Sequence, residues 1–180
     1  MRRLDQKITK SMVTRTLKVE EMNVMIDTEI WSFSLKAPKR EKFGSRKEYS
    51  EALEAHRKAR TALKSSLQNE MVYMSQHQVS ELFHVLAFRG TKLPLRMVNN
   101  YVRSILESQE IIKVEVTWED LLEAMQLSAQ SGIHIWDFLC FVPLKEYLDV
   151  VYTNDKHFTH SVFKKFNVKI VNPLNSWKEI

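Results

Sequence analysis

The spacing of hydrophobic residues along this chain changes repeatedly between two patterns. Short apolar runs bounded by polar residues predict strands, and these runs are Met22–Asp27, Met71–Ser75, Ile111–Val116, Asp149–Thr153 and Val168–Asn172. Apolar residues spaced three and four positions apart predict helices, and these segments are Glu29–Leu35, about Lys47–Gln68, Gln76–Gly90, Pro94 to about Ser108, Thr117–Gly132, Ser131–Leu144 and His157–Phe166. Because strands alternate with helices, the pattern indicates an α/β fold with a mainly parallel sheet.

One predicted helix, Ser131–Leu144, is apolar on nearly every side and yet contains Asp137. A helix with that pattern is normally buried, and a buried carboxylate must find a partner or change its pKa. Three roles are therefore open for Asp137. It caps the helix N-terminus, it pairs with a buried base, or it joins other carboxylates around a metal ion.

Three further acidic residues lie at the ends of predicted strands or in early helix turns. Asp27 ends the first strand, Glu81 lies early in the helix after the second strand, and Asp155 directly follows the fourth strand. Ligands of open parallel sheets bind beyond the carboxyl ends of the strands, so these acids and Asp137 are expected at one edge of the sheet. Clustered carboxylates repel one another unless a cation neutralises them. Ligation by oxygen alone favours Mg²⁺ or Mn²⁺ over zinc.

The composition is typical of one globular domain, with 44% apolar and 27% charged residues in a chain of 180. No uncharged apolar run approaches the roughly 20 residues that span a bilayer, and the single Cys140 excludes an intramolecular disulfide framework. We therefore expect a cytoplasmic protein without membrane attachment. Residues 1–20 are interpreted as a basic leader that is not a signal peptide, and residues 21–180 as a single domain.

The net charge of +5 is concentrated in a basic helical segment at about 36–68. Its lysines and arginines indicate either a solvated helix face with pairs such as Glu54–Lys58, or the electrostatic footprint of a nucleic acid. The candidates for contact with a nucleic acid are Lys36, Lys39, Arg40, Arg57, Lys58 and Arg60.

Four short motifs resemble, in order and setting, the acidic motifs of PIN-domain ribonucleases, a family that includes the VapC-like toxins. They are VMIDTEIW around Asp27, SELFHVL around Glu81, HIWDFLCF around Asp137 and VYTNDKHF around Asp155. The last is the most specific, because it is similar to the family's Thr-Asn-Asp-x-x-Phe signature. The resemblance covers roughly residues 22–172.

The resemblance implies a three-layer α/β/α sandwich and a divalent-metal-dependent endoribonuclease, with Mg²⁺ or Mn²⁺ as cofactor. The residues that it makes both catalytic and metal-binding are Asp27, Glu81, Asp137 and Asp155. Thr28, Thr153 and Asn154 would shape the site. The family also implies a homodimer and, for its toxins, an antitoxin partner. Two features depart from the family: Glu29 follows the Asp-Thr pair where a small polar residue is common, and the 36–68 segment is long for a compact toxin.

Other interpretations stay open on the residues alone. His77, Glu81 and His84 share one helical face and permit a zinc site, although no HExxH motif is present. Asp27 and Asp155 are also ordinary turn residues. At the level of the whole protein, the alternatives are a non-catalytic PIN-like module that binds RNA or a protein, and a structural domain whose acids form salt bridges.

Several residues near the motifs have simpler expected roles. Cys140 is predicted to be a small core residue, and His157 is predicted, like His160, to lie at the surface or in packing. Three aromatic residues, Trp31, Phe43 and Phe158, are candidates for base stacking, and the alternative for each is packing in the core or in a loop.

Overall fold

The structure is a computed structural model of the chain, and it describes residues 21–90 and 92–177. The predicted basic leader, residues 1–20, lies outside the described residues. None of the helices in the described ranges combines the length and the apolar composition that a bilayer crossing requires.

Five strands form one sheet in the described part of the chain. They are β1 (Asn23–Ile26), β2 (Met71–Ser75), β3 (Ile111–Val114), β4 (Val150–Tyr152) and β5 (Lys169–Val171). Their order across the sheet is β3-β2-β1-β4-β5, and every neighbouring pair is parallel. The predicted mainly parallel sheet is confirmed, and the carboxyl ends of its strands share one edge.

Helices connect the strands and cover both faces of the sheet. They are α1 (Thr28–Leu35), α2 (Arg46–Asn69), α3 (Gln76–Phe88), α4 (Leu95–Glu107), α5 (Trp118–Ser131) and α6 (Ile135–Phe141). Short 3₁₀ turns lie at Arg40–Lys42, Val142–Leu144, Lys156–Thr159 and Phe163–Lys165.

Successive residues of β1 point into two different hydrophobic cores, as the twofold period of a strand requires. Val24 and Ile26 pack with residues of α1 to α4 on one face. Met25 packs with residues of α5 and α6 on the other. Because helices cover both faces, the three-layer α/β/α architecture is confirmed.

The ends of α5 follow from local sequence. The Thr117 side chain accepts a hydrogen bond from the Asp120 backbone N–H, and the Asp120 carboxylate accepts one from the Thr117 backbone N–H. This capping box satisfies amides that the first turn leaves without helical partners. Gly132 ends the helix at φ 74°, in a left-handed conformation that side chains rarely adopt.

The single predicted helix Ser131–Leu144 is wrong in extent, since α6 covers only Ile135–Phe141. Pro143 lacks the backbone N–H that a continuing α-helix needs, and a 3₁₀ turn replaces the helix there. Nor is the segment buried on every side, because Trp136 is 54% exposed.

The predicted helix His157–Phe166 is also wrong, because the chain forms two separate 3₁₀ turns. The apolar residues that suggested helical spacing are nevertheless buried, with Phe158 2%, Val162 4% and Phe163 3% exposed. The apolar spacing therefore reflects burial in the core that contains residues of α5 and α6. Two 3₁₀ turns bury these side chains without a continuous helix.

Candidate functional site

The four predicted acids reach the same edge of the sheet from different elements. Asp27 directly follows β1, the central strand, and Asp155 lies just beyond its neighbour β4. Glu81 lies in the second turn of α3, which begins directly after β2, and Asp137 lies in the first turn of α6. All four side chains line one cavity of about 540 Å³.

Asp27 is held by the loop that follows β4. The Thr153 hydroxyl donates a hydrogen bond of 2.6 Å to Asp27 Oδ2, and the same hydroxyl oxygen accepts one of 2.9 Å from the Asp155 backbone N–H. Thr153 is fully buried. One threonine therefore links two of the acids, and its site-shaping role stays a prediction.

Asn154 lies between them in sequence and is buried, with 4% exposure. Its Oδ1 has no hydrogen-bond partner among the described residues. It does not line the cavity, so any effect of Asn154 on the site acts through the position of its neighbours.

Glu81 accepts hydrogen bonds from two different helices. Thr28, the first residue of α1, donates from its hydroxyl to Glu81 Oε2 at 2.6 Å. The Cys140 thiol of α6 lies 3.5 Å from the same oxygen. Burial raises the pKa of Cys140, and Glu81 raises it further, so the sulfur keeps its proton and donates it.

The remaining acids share a histidine. Nδ1 of His157 lies 3.0 Å from Asp137 Oδ2 and 3.5 Å from Asp155 Oδ1. One ligand atom from each residue falls within 4.8 Å of those of the other two, and the three form a group that could hold a metal ion. The prediction that His157 is merely a surface or packing residue is therefore wrong.

The site is electrostatically unfavourable for carboxylates without a cation. Burial raises the pKa of Asp27 well above its usual range, and Glu81 and Glu29 raise it further against the opposing Thr153 hydrogen bond. Burial also raises the pKa of Asp137 to about 6, with an additional contribution from Asp155. A bound cation would reverse these shifts, because it favours the ionised carboxylates.

Two simpler roles proposed for these acids do not hold. Asp137 is not an N-cap, because His134 occupies that position and its carbonyl accepts from the Asp137 N–H. Within residues 21–90 and 92–177, His77, Glu81 and His84 do not form a group that could hold a metal ion, and the His77 ring instead stacks on Trp136 at 5.0 Å. The turn-forming role of Asp155 is real, since its Oδ1 accepts from the His157 N–H at 2.8 Å.

The predicted RNA-contacting residues divide into two groups. Lys36 and Lys39 line the cavity, but the Lys36 ammonium also donates to the Val85 and Arg89 carbonyls at the end of α3. The other candidates, which do not line it, are Arg40, Arg57, Lys58 and Arg60. Lys58 forms the predicted pair with Glu54, with Nζ 3.8 Å from Oε1.

Three aromatic residues were candidates for base stacking, and the burial of two of them excludes contact with a nucleobase. Trp31 is 1% exposed, with its indole N–H bonded to the Ile26 carbonyl at 2.9 Å. Phe158 is 2% exposed within the second core. Phe43 alone of the three lines the cavity.

Comparisons with known proteins give structural matches only. The sequence matches no protein-family model, and comparison with curated proteins finds no match. Among solved structures, the chain is similar to VapC20 from Mycobacterium tuberculosis, a sarcin-ricin loop cleaving toxin. The two are 17% identical with a TM-score of 0.57, over 81% of this chain and 98% of VapC20.

Two further solved structures are similar. One is FitAB bound to the IR36 DNA fragment, at 18% identity and a TM-score of 0.55, covering 87% of this chain and 99% of the other. The second is VapBC2 from Rickettsia felis bound to a promoter DNA fragment, at 18% identity and a TM-score of 0.50, covering 84% and 98%. At these identities the similarity shows a shared fold. That fold is the three-layer α/β/α architecture that the sequence motifs suggested.

Proposed function

We propose that this chain, which has the PIN-like α/β/α fold, is a divalent-metal-dependent endoribonuclease. The observation that carries the proposal is the convergence of Asp27, Glu81, Asp137 and Asp155 on one cavity at the carboxyl edge of the sheet. Carboxylates from four separate elements meet there, although burial and neighbouring acids disfavour the charged forms of Asp27 and Asp137.

The donor set fits a hard or borderline divalent cation. Asp137, Asp155 and His157 offer two carboxylate oxygens and one imidazole nitrogen in a compact group. Asp27 and Glu81 add carboxylates at the same cavity. Such ligands suit Mg²⁺ or Mn²⁺, and the imidazole makes Mn²⁺ the better match. When bound, the ion would activate water and neutralise charge on a phosphodiester.

The chain's own groups position these ligands. Thr28 and Cys140 hold one oxygen of Glu81 from opposite helices, and Thr153 fixes Asp27 to the start of the Asp155 loop. Positioned ligands avoid the entropic cost of assembling the site during each reaction cycle.

RNA is the proposed substrate because the acidic cavity is bordered by cations. Lys39 and Arg89, both exposed, line the same cavity as the acids. Further positive charge lies along α2 at Arg57 and Arg60, which are also exposed. An acidic cluster alone would repel a phosphodiester backbone, whereas flanking cations attract it and release its counterions.

The partner proteins and the cellular location are proposed from the resemblance to PIN-domain toxins. VapC20 is a toxin, and the VapBC2 structure contains promoter DNA. By analogy we expect a homodimer, an antitoxin protein that controls activity, and action in the cytoplasm.

Cleavage of single-stranded RNA by the purified protein, with and without chelator, tests the proposal. Cleavage should require added Mn²⁺ or Mg²⁺, stop in EDTA and return when metal is restored. Metal-independent RNA binding without cleavage would instead favour a non-catalytic PIN-like module.

A further inference from the structure

The cavity has a second wall that the acids do not explain. Besides the carboxylates, its lining includes Phe43 and Pro38 from the loop before α2, and Ala52 and His56 from α2 itself. These residues belong to the 36–68 segment that is long for a compact toxin. The segment therefore contributes a wall with three apolar side chains, Pro38, Phe43 and Ala52, as well as positive charge.

Local contacts hold this wall in place. The Phe43 ring packs against Tyr49, with ring centroids 5.8 Å apart. Nδ1 of His56 lies 2.6 Å from the Phe33 carbonyl of α1. Near the wall, the Arg40 guanidinium donates to the Phe43 carbonyl at 2.7 Å, which fixes the loop. A preformed apolar wall of this kind lowers the cost of ordering a ligand.

We propose that this wall is a subsite for one unpaired nucleobase of the RNA, beside the acids that act on its phosphate. The inference rests on the proposed ribonuclease function and adds a base-holding residue, Phe43, to it. A volume of about 540 Å³ lies within the range of roughly 300–1,000 Å³ typical of small-ligand pockets. It therefore accommodates a nucleobase while leaving room at the acids.

Charge favours a nucleotide over a protein segment as the occupant. A basic peptide would be attracted by the carboxylates, but Lys39 and Arg89 line the same cavity and repel it. A nucleotide matches both features, because its planar base suits the apolar wall and its phosphate suits the cations. Stacking on an aromatic side chain tolerates any base identity, so the subsite selects unpaired nucleotides and not a sequence.

The test is a double-mutant cycle that measures RNA affinity while the Phe43 side chain and one RNA base are removed separately and together. A short single-stranded RNA is compared with versions that carry one abasic position each, using wild-type protein and Phe43→Ala. EDTA is present throughout, so that binding is measured apart from cleavage. Phe88→Ala is the matched control, because Phe88 is 50% exposed and does not line the cavity.

Wild-type protein should lose about tenfold in affinity when the base at one position is removed, which is a typical effect for a stacked base. Phe43→Ala should weaken binding of the intact RNA by a similar factor and should be insensitive to the abasic position. Phe88→Ala should behave as wild type. Ala52→Phe, which fills the cavity from α2, should reproduce the loss without removing an aromatic ring.

The subsite and the ribonuclease function can fail separately. If metal-dependent cleavage is present but Phe43→Ala and Ala52→Phe bind every RNA like wild type, the subsite is overturned and the function stands. If the binding cycle shows the expected coupling and no cleavage occurs with any metal, the base subsite stands in a non-catalytic module. If Phe43→Ala weakens binding of intact RNA and of abasic RNA by the same factor, the effect comes from a change in loop structure. That result would overturn the proposal.

Discussion

At the residue scale, Asp27, Glu81 and Asp137 should contribute to catalysis and not to stability of the metal-free protein. Asp27→Asn and Asp137→Asn remove charge from a buried, mutually repelling cluster, and asparagine keeps an oxygen that accepts hydrogen bonds. We expect cleavage to fall by at least about 100-fold, as for loss of other groups essential to the chemical step. Metal-free stability, measured by urea unfolding, should be unchanged or higher.

Glu81→Gln should give the same pattern, and Glu119→Gln on the exposed surface of α5 is its control. If any of these site variants lowers metal-free stability by several kcal/mol, its carboxylate forms a structural ion pair. The role assigned to that residue would then be wrong.

The raised pKa of Asp137 makes metal-free stability depend on pH. Its carboxyl has an ordinary value of 3.8 and titrates at about 6 in the folded chain, so the native state binds the proton more tightly. This contribution is fully present below about pH 4 and is lost as pH rises through about 6. Between about pH 5 and about pH 8, the loss is roughly 1 kcal/mol.

The pKa of Asp27 is raised as well, so the comparison must be made with Asp137→Asn. In EDTA, the wild-type protein should lose more unfolding free energy than the variant between those two pH values. Identical pH profiles would show that the Asp137 carboxyl is not strained by burial and its neighbours.

His157 should contribute to metal affinity, because its imidazole lies between two of the acids. We expect His157→Gln to weaken Mn²⁺ binding by about 10- to 100-fold, the usual effect of losing a ligand or the partner that orients one. Thermal stability measured against Mn²⁺ concentration reports this directly. His84→Gln, on the exposed surface of α3, should bind Mn²⁺ like wild type, whereas a loss there would support the zinc trio.

At the element scale, α2 and the loop before it should control RNA affinity. Arg57→Gln, Lys58→Gln and Arg60→Gln together remove three charges from the outer surface of α2. Each phosphate contact contributes a slope of roughly −0.7 in log affinity against log salt for single strands. The triple variant should flatten that slope and raise KM while leaving the saturated rate nearly unchanged.

Lys47→Gln combined with Lys64→Gln provides a control for loss of positive charge on α2, since both residues are exposed and lie outside the cluster of Arg57, Lys58 and Arg60. A triple variant that keeps the wild-type salt slope would make Arg57, Lys58 and Arg60 a solvated helix face. RNA would then approach by another route, with Lys39 and Arg89 at the cavity as the next candidates among the described residues.

The sequence predicted elements best where periodicity and local signals agree. The Thr117–Asp120 capping box and Gly132 are such signals, and α5 begins and ends as they indicate. The prediction of one helix over His157–Phe166 was wrong because the pattern of buried residues fits two 3₁₀ turns as well as one helix. Strand order likewise depends on packing between distant segments and has no local signal.

The site residues also divide into those with a local signal in the sequence and those that only the folded chain brings together. Asp27, Glu81, Asp137 and Asp155 were predictable because their places at strand ends and early helix turns converge in any parallel sheet. His157 was missed although it lies only two residues after Asp155, because one histidine in a loop has no spacing that marks a ligand. The Cys140–Glu81 contact joins residues 59 apart, so only the folded chain reveals it.

At the scale of the whole molecule, the site joins the two helical layers. Thr28 and Glu81 come from helices on one face of the sheet, whereas Asp137 and Cys140 come from α6 on the other. Binding a cation at this junction should stabilise both layers together. A metal at about 100 times its Kd would add ~2.7 kcal/mol to the unfolding free energy.

The most direct test follows RNA cleavage and thermal stability in one Mn²⁺ titration of the chelator-treated protein. Our account predicts that the cleavage rate at saturating RNA and the Tm rise over the same range of metal concentration. Asp137→Asn should shift or abolish both responses, and Glu119→Gln neither. Cleavage that persists in EDTA, or a Tm response to Mn²⁺ with no cleavage of any RNA, would contradict the metal-dependent ribonuclease assignment.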